Sequence, residues 1–284
     1  MFHAGSLTWP VKTIGEAFQE KYPGVSIQAE ASGSREAIRK ITELGRAADV
    51  LLSADARLID EMMIPHFADW NIRFARNEMV VAYSSQSRFA DRIGLENWYE
   101  ILLEEGVACG SSDPRTDPVG YRARMVWQLA ERYYDVPGLA SALDKRCAQE
   151  HVRPRSMELV VLLQSGNLDY AFLYRSVAQQ YDLRFVPLPP QINLCCPEYA
   201  PYYRQATVEF QESGNTVVIP GEPIVYGVTV PKNAPDPDLA VLFVRFLLEP
   251  EARDLLEKMG QPAIVPPEVH GRENLPAPLR ALFP

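Results

Sequence analysis

Short turns rich in glycine and serine follow apolar segments of the chain at four places. They are Ala4-Gly5-Ser6-Leu7-Thr8, Ala31-Ser32-Gly33-Ser34, Ser53-Ala54-Asp55 and a longer stretch over 111–120. Glycine lets a backbone approach an anion closely, and serine adds an O–H donor to the N–H groups of the chain. Several such turns facing one point would form a cage of neutral donors for an oxyanion. Each turn alone is also typical of a helix cap, so the prediction depends on the repetition.

Alternating strand and helix patterns position these turns. Over residues 5–55 the apolar spacing predicts the order β-α-β-α-β. We expect a helix that ends at Pro23-Gly24, a strand over 25–29, a helix capped by Ser34 and a buried strand over 48–52. The second helix has apolar residues at helical spacing, from Ala37 to Leu44. Ligands in such sheets bind beyond the carboxyl ends of the strands, where the following helices present free N–H groups.

The rest of the chain continues the alternation and predicts two lobes. Helices are expected over 97–104, 117–134, 156–164, 239–248 and 250–259, and strands over 79–83, 107–109 and 170–174, with a β-rich stretch over 216–230. We expect an α/β chain with mixed sheets flanked by helices and a ligand cleft between the lobes. The first lobe is predicted from residues 1–83 with 226–284, and the second from residues 84–225. This organisation is typical of hinge-closing binding proteins.

Composition excludes several classes of protein. The net charge is −9 and no run of Lys or Arg exceeds two residues, so no nucleic-acid or polybasic membrane surface is indicated. The longest apolar stretch, 239–248, is interrupted by Arg245 and is too short to span a bilayer. No secretory leader precedes Phe2, and the short start favours an upstream segment having been removed. The four cysteines lack metal-site spacing, so we expect buried thiols rather than disulfides.

Catalytic motifs are missing from the sequence. It has no GxSxG, GxxxxGK[ST], GxGxxG or HExxH pattern, and its four histidines are scattered. His3 lies beside the first turn, where a hydrogen-bonding role is expected. We therefore predict that the chain is not an enzyme and needs no cofactor. An enzyme that uses carboxylates such as Asp49, Asp55 and Asp117 is the alternative, because acid and base chemistry needs no other residue type.

Six ordered segments, which together cover nearly the whole chain, resemble the tungstate and molybdate binding proteins of ABC importers. The segments read HAGSLT, EASGSREAIRKI, ADVLLSAD, DPVGYRARMVWQLAERYY, LDYAFLYRSVAQQ and PIVYGVTVPKNAPDPDLAVLFVRFLLEPEARDLLEKMGQPAIVPP. The resemblance implies a type II periplasmic-binding-protein fold and a monomer outside the cytoplasmic membrane, in the periplasm or at the cell surface, with a lipid anchor as one form. It implies molybdate or tungstate as bound ligand, and an ABC permease with its ATPase as partners.

The resemblance also implies which residues contact the oxyanion. They are Gly5, Ser6, Ser32, Gly33, Ser34, Asp117, Pro118, Val119 and Leu173. In one branch of the family Asp117 would be a direct ligand of the metal, and a glutamate would stand at position 173 as the second carboxylate ligand. Leucine cannot coordinate a metal, so we expect a tetrahedral or five-coordinate anion, with Asp117 turned aside to accept a backbone bond. Arg122 and Arg175 are expected to form surface salt bridges.

Two other functions remain open at this stage. The first is a receptor for another anion such as sulfate, because chemically similar donors serve all of these dianions and selectivity depends on cage size. The second is an intracellular anion-sensing module of the same fold. Titration with molybdate, tungstate and sulfate distinguishes the first alternative from a molybdate or tungstate receptor. A signal sequence or a lipoprotein cysteine upstream in the gene would exclude the second.

Overall fold

The computed structural model of the chain describes residues 1–149, 151–212 and 214–283. The strands are β1 (Phe2–Ala4), β2 (Glu30–Ser32), β3 (Leu51–Ser53), β4 (Asn71–Arg76), β5 (Met79–Tyr83), β6 (Cys109–Ser112), β7 (Val152–Arg153), β8 (Tyr170–Tyr174), β9 (Arg184–Pro187), β10 (Thr207–Glu212), β11 (Asn215–Pro220), β12 (Val225–Thr229) and β13 (Ala263–His270). The α-helices are α1 (Thr8–Lys21), α2 (Ser34–Thr42), α3 (Ala56–Met62), α4 (Trp98–Leu103), α5 (Pro118–Tyr133), α6 (Leu139–Asp144), α7 (Ser156–Gln164), α8 (Arg175–Gln180), α9 (Ala200–Tyr203), α10 (Pro237–Leu247), α11 (Pro250–Lys258) and α12 (Ala277–Arg280).

Two compact units make up the chain. The first unit is Met1–Arg76 with Val225–Pro284, and the second is Asn77–Ile224. Each contains a sheet and flanking helices, which confirms the α/β class predicted from the alternating pattern.

The first unit is built on a six-stranded sheet in the order β13-β4-β12-β3-β1-β2. β1 pairs in parallel with β2 and β3, whereas the other pairs are antiparallel. Val11, Ile14 and Phe18 recur at helical spacing and form the buried face of α1. The Phe18 ring lies 5.3 Å from Phe243 and 5.5 Å from Phe246, so α1 is fixed against α10.

The second unit contains a five-stranded sheet in the order β7-β6-β8-β5-β9, together with the antiparallel hairpin β10-β11. β6 pairs in parallel with β7 and β8, and β5 is antiparallel to β8 and β9. The core is aromatic. Phe172 in β8 makes edge contacts with Trp127 of α5 at 5.5 Å and Trp98 of α4 at 5.8 Å, which joins the helices to the sheet.

Several predicted elements coincide with the structure, whereas the strand expected over 107–109 shares only Cys109 with β6 and another expected strand is absent. The predictions over 156–164 and 170–174 are confirmed as α7 and β8. The predicted strand over 25–29 is wrong, because β2 begins only at Glu30, the residue that pairs with Phe2 at the start of β1. Leu44, predicted on the buried face of the second helix, is 70% exposed. The helix ends at Thr42, and Gly45 follows with a φ of +64°.

β5 belongs to the second unit, although the sequence prediction placed residues up to 83 in the first lobe. Its register pairs Val80 with Leu173 of β8 and with Pro187 of β9. The chain therefore leaves the first unit after Arg76, before β5, and returns to it at Val225. An apolar strand carries no local signal of the sheet that it joins, which is why the polar run at 84–87 was mistaken for the crossing.

Two disulfides correct the prediction of buried free thiols. Cys109 at the start of β6 is bonded to Cys147, and Cys195 is bonded to its neighbour Cys196. The first bond joins residues 38 positions apart and lies in the core of the second unit, where both cysteines are fully buried. In the chain-entropy view, closing a loop of that length stabilises the fold by about 3 to 4 kcal/mol. Cysteine spacing alone could not reveal this pairing, because it depends on the fold.

The helices of residues 1–149, 151–212 and 214–283 are short or amphipathic. None of them is long and apolar enough to cross a membrane.

Candidate functional site

Three of the serine-bearing turns lie at one edge of the first unit's sheet. β1, β2 and β3 are adjacent and parallel, so their carboxyl ends meet at the same edge. The register pairs Ala4 with Ser32, which places the turns after β1 and β2 side by side. The sequence prediction that these turns gather at one edge is therefore consistent with the topology of this unit.

Ser6 is held in a single turn of 3-10 helix over Gly5–Leu7, before α1. It is 4% exposed, and its hydroxyl lies 2.9 Å from the hydroxyl of Tyr226 in β12. The buried side chain of Gln261 donates from Nε2 to the Ser6 carbonyl at 3.1 Å. Tyr226 and Gln261 thus fix both the side chain and the backbone of this residue.

Ser32 and Ser34 lie on either side of Gly33 and have different surroundings. Ser32 is 2% exposed, and its hydroxyl has no hydrogen-bond partner in the part of the chain that the structure describes. The Ser34 hydroxyl accepts a bond from the N–H of Ala54 at 2.9 Å. α2 begins at Ser34, and Gly33 occupies the cap position. The prediction that Ser34 caps this helix is wrong. A hydroxyl that accepts a bond still has its own hydrogen to donate.

The N-terminus of α2 adds backbone donors to these hydroxyls. The N–H of Ala37 makes the bond to the Gly33 carbonyl that begins the helix. The N–H groups in the first turn of a helix have no partner within the helix itself. Such an end favours an anion through both its donors and its dipole.

His3 supports the first turn through a hydrogen bond from its ring. It is 3% exposed, and Nδ1 donates to the carbonyl of Ala4 at 2.8 Å. Burial lowers the pKa of His3 below its ordinary value, and the bond to Ala4 opposes this only in part. The ring is therefore neutral at pH 7, in agreement with the hydrogen-bonding role expected for it.

The depressed pKa of His3 predicts a loss of stability in acid. The unfolded chain binds a proton on this histidine before the folded chain does, so the contribution present above the ordinary value of 6.5 is lost as the pH falls below it. His3→Asn keeps an N–H donor and does not titrate. We expect urea unfolding at about pH 7.5 and about pH 5 to show a smaller loss of stability in His3→Asn than in the natural chain. Equal losses in both proteins would contradict this assignment.

The second unit has its own edge of converging turns. β6, β7 and β8 are adjacent and parallel, so the segments after Ser112, Arg153 and Tyr174 begin at the same edge. The loop after β6 leads to Asp117, the cap of α5, and the turn after β7 leads to Ser156, the first residue of α7. The N–H groups of Val119 and Ser156 and the carboxylate of Asp117 lie together at this edge.

Asp117 is engaged by backbone donors on both of its oxygens. Oδ1 accepts the N–H of Val119 at 3.0 Å, and Oδ2 accepts the N–H of Ser156 at 2.6 Å. Burial raises the pKa of Asp117, whereas the bonds from Ser156 and Val119 and the charge of Arg122 lower it. The expectation that this carboxylate accepts a backbone bond agrees with the geometry. Val119, which was expected to contact the anion, donates its N–H to Asp117. Pro118 has no N–H to donate.

Leu173 lies within β8 and not in a turn. It is fully buried, and its partner across the sheet is Val80. Tyr174 follows as the cap residue of α8, so Leu173 stands one residue before the end of the strand. An ionised carboxylate at position 173 would be fully buried, which is costly unless it is paired.

Arg122 is buried, which corrects the prediction of a surface salt bridge. It is 3% exposed, donates from Nη1 to the hydroxyl of Tyr174, and its guanidinium carbon lies 5.5 Å from the Tyr174 ring centre. This places a fixed positive charge close enough to Asp117 to affect its pKa. Arg175, in contrast, forms the expected salt bridge, to Glu78 at 2.7 Å.

Gly120 allows the loop after β6 to pack on the first turn of α5. A Cβ at this position would lie 2.3 Å from the carbonyl oxygen of Ser112 and 2.7 Å from the carbonyl carbon of Asp113. We expect Gly120→Ala to lower the free energy of unfolding by about 1 to 3 kcal/mol, because backbone atoms must move. Urea denaturation measures this. Gly94→Ala is the matched control, since its nearest neighbour would be 3.8 Å away, and equal stability of the two variants would contradict the argument.

Four further residues belong to these edges; three were missed from the sequence, and Ser112 lay within the predicted turn over 111–120 without being named as a contact. Tyr226 and Gln261 hold Ser6, Ser156 binds Asp117, and the fully buried Ser112 has a hydroxyl without a hydrogen-bond partner in the described residues. Ser112 and Ser156 could have been found as hydroxyl residues at the ends of predicted elements. Tyr226 and Gln261 had no local signal, because they reach Ser6 from more than 200 positions away.

A cavity of about 580 Å³ in the first unit lies at the opposite end of the strands. Its walls include Phe18, Ile27 and Phe243, together with the carboxylate residues Glu30 and Asp49. It contains none of the serine-bearing turns. Arg46 also lines the cavity, but its guanidinium is already paired with the carboxylate of Glu30, so the size of the cavity does not make it the candidate site for an anion.

Grouped metal ligands are not found. In residues 1–149, 151–212 and 214–283, no three His, Cys, Asp or Glu side chains are arranged so that they could hold a metal ion.

Comparison with known proteins establishes the family. The family model for bacterial extracellular solute-binding proteins matches residues 1–261. The chain belongs to this family. A solute-binding protein of Petrotoga mobilis is 46% identical over 282 residues, which cover 99% of this chain and 88% of that protein. The molybdate/tungstate-binding protein WtpA of Pyrococcus abyssi is 37% identical over 308 aligned positions, covering 99% of this chain and 88% of WtpA.

Solved structures support the fold of this solute-binding protein. The periplasmic molybdate-binding protein of Azotobacter vinelandii superposes with a TM-score of 0.67, covering 92% of this chain and 96% of that chain at 18% identity. The likeness extends over both compact units and confirms the predicted fold class. At this identity it bears on the fold alone.

Proposed function

We propose that this solute-binding protein captures one tetrahedral metal oxyanion, molybdate or tungstate, and delivers it to an ABC permease driven by its ATPase. The observation that carries the proposal is the row of buried hydroxyls at one sheet edge of the first unit, Ser6, Ser32 and Ser34. Buried hydroxyls are normally hydrogen-bonded, and the Ser32 hydroxyl has no partner in the described residues. An oxyanion at this edge would supply the missing acceptor.

The second unit would contribute contacts of its own. We propose that the same anion is bound by residues at the edge formed by Asp117, Pro118, Val119 and Leu173, with Gly5 and Gly33 allowing close backbone approach in the first unit. Charge-assisted hydrogen bonds contribute about 1.5 to 3 kcal/mol each, so a modest number of neutral donors suffices to bind a dianion. The buried charge of Arg122 offsets that of Asp117, so the carboxylate does not leave this edge with a net negative charge.

The surroundings of Asp117 and Leu173 favour a four-coordinate anion. Both oxygens of Asp117 already accept N–H groups, and a leucine offers no lone pair to a metal. The two backbone N–H groups hold the Asp117 carboxylate in its present orientation, so turning an oxygen towards molybdenum or tungsten would disturb hydrogen bonds in a buried place. We therefore propose recognition by hydrogen bonds alone, without a carboxylate ligand and without catalysis.

Location outside the cytoplasm is part of the proposal. Disulfides persist in oxidising compartments and are rare in the cytosol of most organisms. The pairs Cys109–Cys147 and Cys195–Cys196 accordingly support a periplasmic or cell-surface protein. The name of the Pyrococcus abyssi relative supports the choice of ligand.

Isothermal titration calorimetry tests the proposal. The chain, stripped of bound anion by mild unfolding and dialysis, is titrated with molybdate, tungstate and sulfate. We expect binding of one molybdate or tungstate per chain with a dissociation constant below about 1 µM, equivalent to a binding free energy beyond about −8 kcal/mol. We expect sulfate to bind at least about tenfold more weakly. Preference for sulfate, or no heat with any of the three, would refute the proposed ligand.

A further inference from the structure

The bond between Cys195 and Cys196 differs from the other disulfide in exposure and in effect on the chain. Both residues of this pair are partly exposed, whereas Cys109 and Cys147 are fully buried. A bond between neighbours closes no loop of chain, so it adds almost nothing to stability through the entropy of the unfolded state. Stabilisation of the fold therefore does not explain its presence.

Adjacency also makes this bond unusual in geometry. Neighbouring Cα atoms are held 3.7 Å apart by the peptide between them, below the spacing of ordinary disulfides. Disulfides that combine an atypical geometry with solvent access are more easily reduced than buried structural ones. Leu194, just before the pair, has a φ of +63°, a left-handed conformation that is strained for a bulky residue.

The segment that contains the pair holds both ends of the second unit. The carbonyl of Asn193 accepts the N–H of Met79 at 2.8 Å, and the carbonyl of Leu194 accepts the N–H of Ile224 at 2.8 Å. Met79 lies two residues after the start of this unit, and Ile224 is its last residue. The residues near both ends of the unit are thus hydrogen-bonded to Asn193 and Leu194, the two residues before Cys195.

Hydrogen bonds connect the cysteine pair to this segment and to α8. The N–H of Cys195 donates to Oδ1 of Asn193 at 3.0 Å, and the Asn193 amide nitrogen donates to Glu78 at 2.6 Å. Glu78 in turn pairs with Arg175, the first residue of α8. The N–H of Cys196 donates to the hydroxyl of Tyr203 at 3.3 Å. A change at the disulfide therefore acts on a connected set of bonds.

We propose that Cys195–Cys196 is a thiol-disulfide exchange site, whose reduction by a dithiol loosens the segment that secures both ends of the second unit. One thiolate of the dithiol attacks a sulfur of the pair, the S–S bond breaks, and a mixed disulfide forms. The second thiolate of the reductant then displaces the protein sulfur, so the reductant leaves as a disulfide and both cysteines are thiols. Two electrons and two protons pass to the protein. The assignment does not depend on the anion proposed above.

Differential alkylation tests the reactivity, with the second disulfide of the same chain as the matched control. The oxidised full-length chain is incubated with increasing dithiothreitol, alkylated and analysed by peptide mass spectrometry. We expect Cys195 and Cys196 to become labelled at a reductant concentration at least about tenfold below that needed for Cys109 and Cys147. Labelling of all four cysteines together, or of the buried pair first, would overturn the proposal.

Amide hydrogen exchange tests the coupling to the ends of the unit. After selective reduction we expect the N–H groups of Met79 and Ile224 to exchange about tenfold faster, while those in α5 are unchanged. The Cys195→Ser/Cys196→Ser variant should show the same fast exchange without reductant. Unchanged exchange at both amides in the reduced chain and in the variant would show that the pair does not control this segment.

Discussion

Replacing Ser6 and Ser32 together with alanine is expected to weaken oxyanion binding by about 10² to 10⁴-fold. Each hydroxyl would donate one charge-assisted hydrogen bond of about 1.5 to 3 kcal/mol, and the two together account for about 3 to 6 kcal/mol. Both side chains are buried at the same sheet edge, so water cannot readily replace the lost donors. Isothermal titration with molybdate measures the change in affinity.

The effects on stability separate a binding role from a structural one. Ser32→Ala alone should leave the free energy of unfolding without anion unchanged or slightly higher, because its buried hydroxyl has no partner in the described residues. Ser6→Ala should cost some stability, since the hydroxyl of Tyr226 loses a neighbour at 2.9 Å. Ser26→Ala, at an exposed position of the same unit, is the matched control and should bind normally. An unaltered affinity in the double variant would refute the assignment of these hydroxyls.

Leu173→Glu is expected to destabilise the second unit strongly and to add no affinity for tungstate. The side chain is fully buried in β8, so an ionised carboxylate would lose its hydration. Burial raises the pKa of such a glutamate above 7. Keeping it protonated at pH 7 costs about 3 to 4 kcal/mol, at 1.36 kcal/mol per pH unit from an ordinary value of about 4.3. Urea unfolding at several pH values measures this.

Leu173→Gln is the control for the charge, because it has the same shape and does not ionise. The raised pKa of the glutamate makes its penalty disappear as the pH falls towards about 4, where the unfolded chain is protonated as well. The two variants should therefore differ at pH 7 and converge in acid. A glutamate variant as stable as the natural chain, or one that binds tungstate more tightly, would contradict the four-coordinate site proposed around Asp117.

Elements whose signals are local could be predicted from the sequence. Helix α5 begins at Pro118, after the cap residue Asp117, and its apolar residues recur at helical spacing up to Tyr133. α7 and β8 follow the predicted ranges, because the switch between helical and strand periodicity is sharp there. The two helices α10 and α11 are separated by Pro250, which sits at the first position of the second helix.

Features that depend on distant parts of the chain could not be predicted in this way. The strand expected over 25–29 had the right alternation, yet β2 covers Glu30–Ser32, because alternation alone does not show which residues pair across a sheet. Ser34 had the sequence of a cap, yet its hydroxyl is used by Ala54, twenty residues away. Arg122 was expected to form a surface salt bridge, and only the fold brings Tyr174 to it.

The candidate site was predicted in its residue types but not in its bonding. The serines of the first unit gather at one sheet edge because β1, β2 and β3 are parallel, which the alternating pattern indicated. The sequence predicted that Asp117 accepts a backbone hydrogen bond, but it did not show that Val119 is the donor. Spacing identifies which donors are present, whereas the bonds that they make depend on residues such as Ser156.

A crystal structure of the chain grown with tungstate, with the metal located by its anomalous scattering, tests the central claim most directly. We expect one tungstate whose oxygens accept hydrogen bonds from Ser6, Ser32 and Ser34, with no carboxylate oxygen bonded to the metal. Tungstate bound away from these three serines would contradict the account.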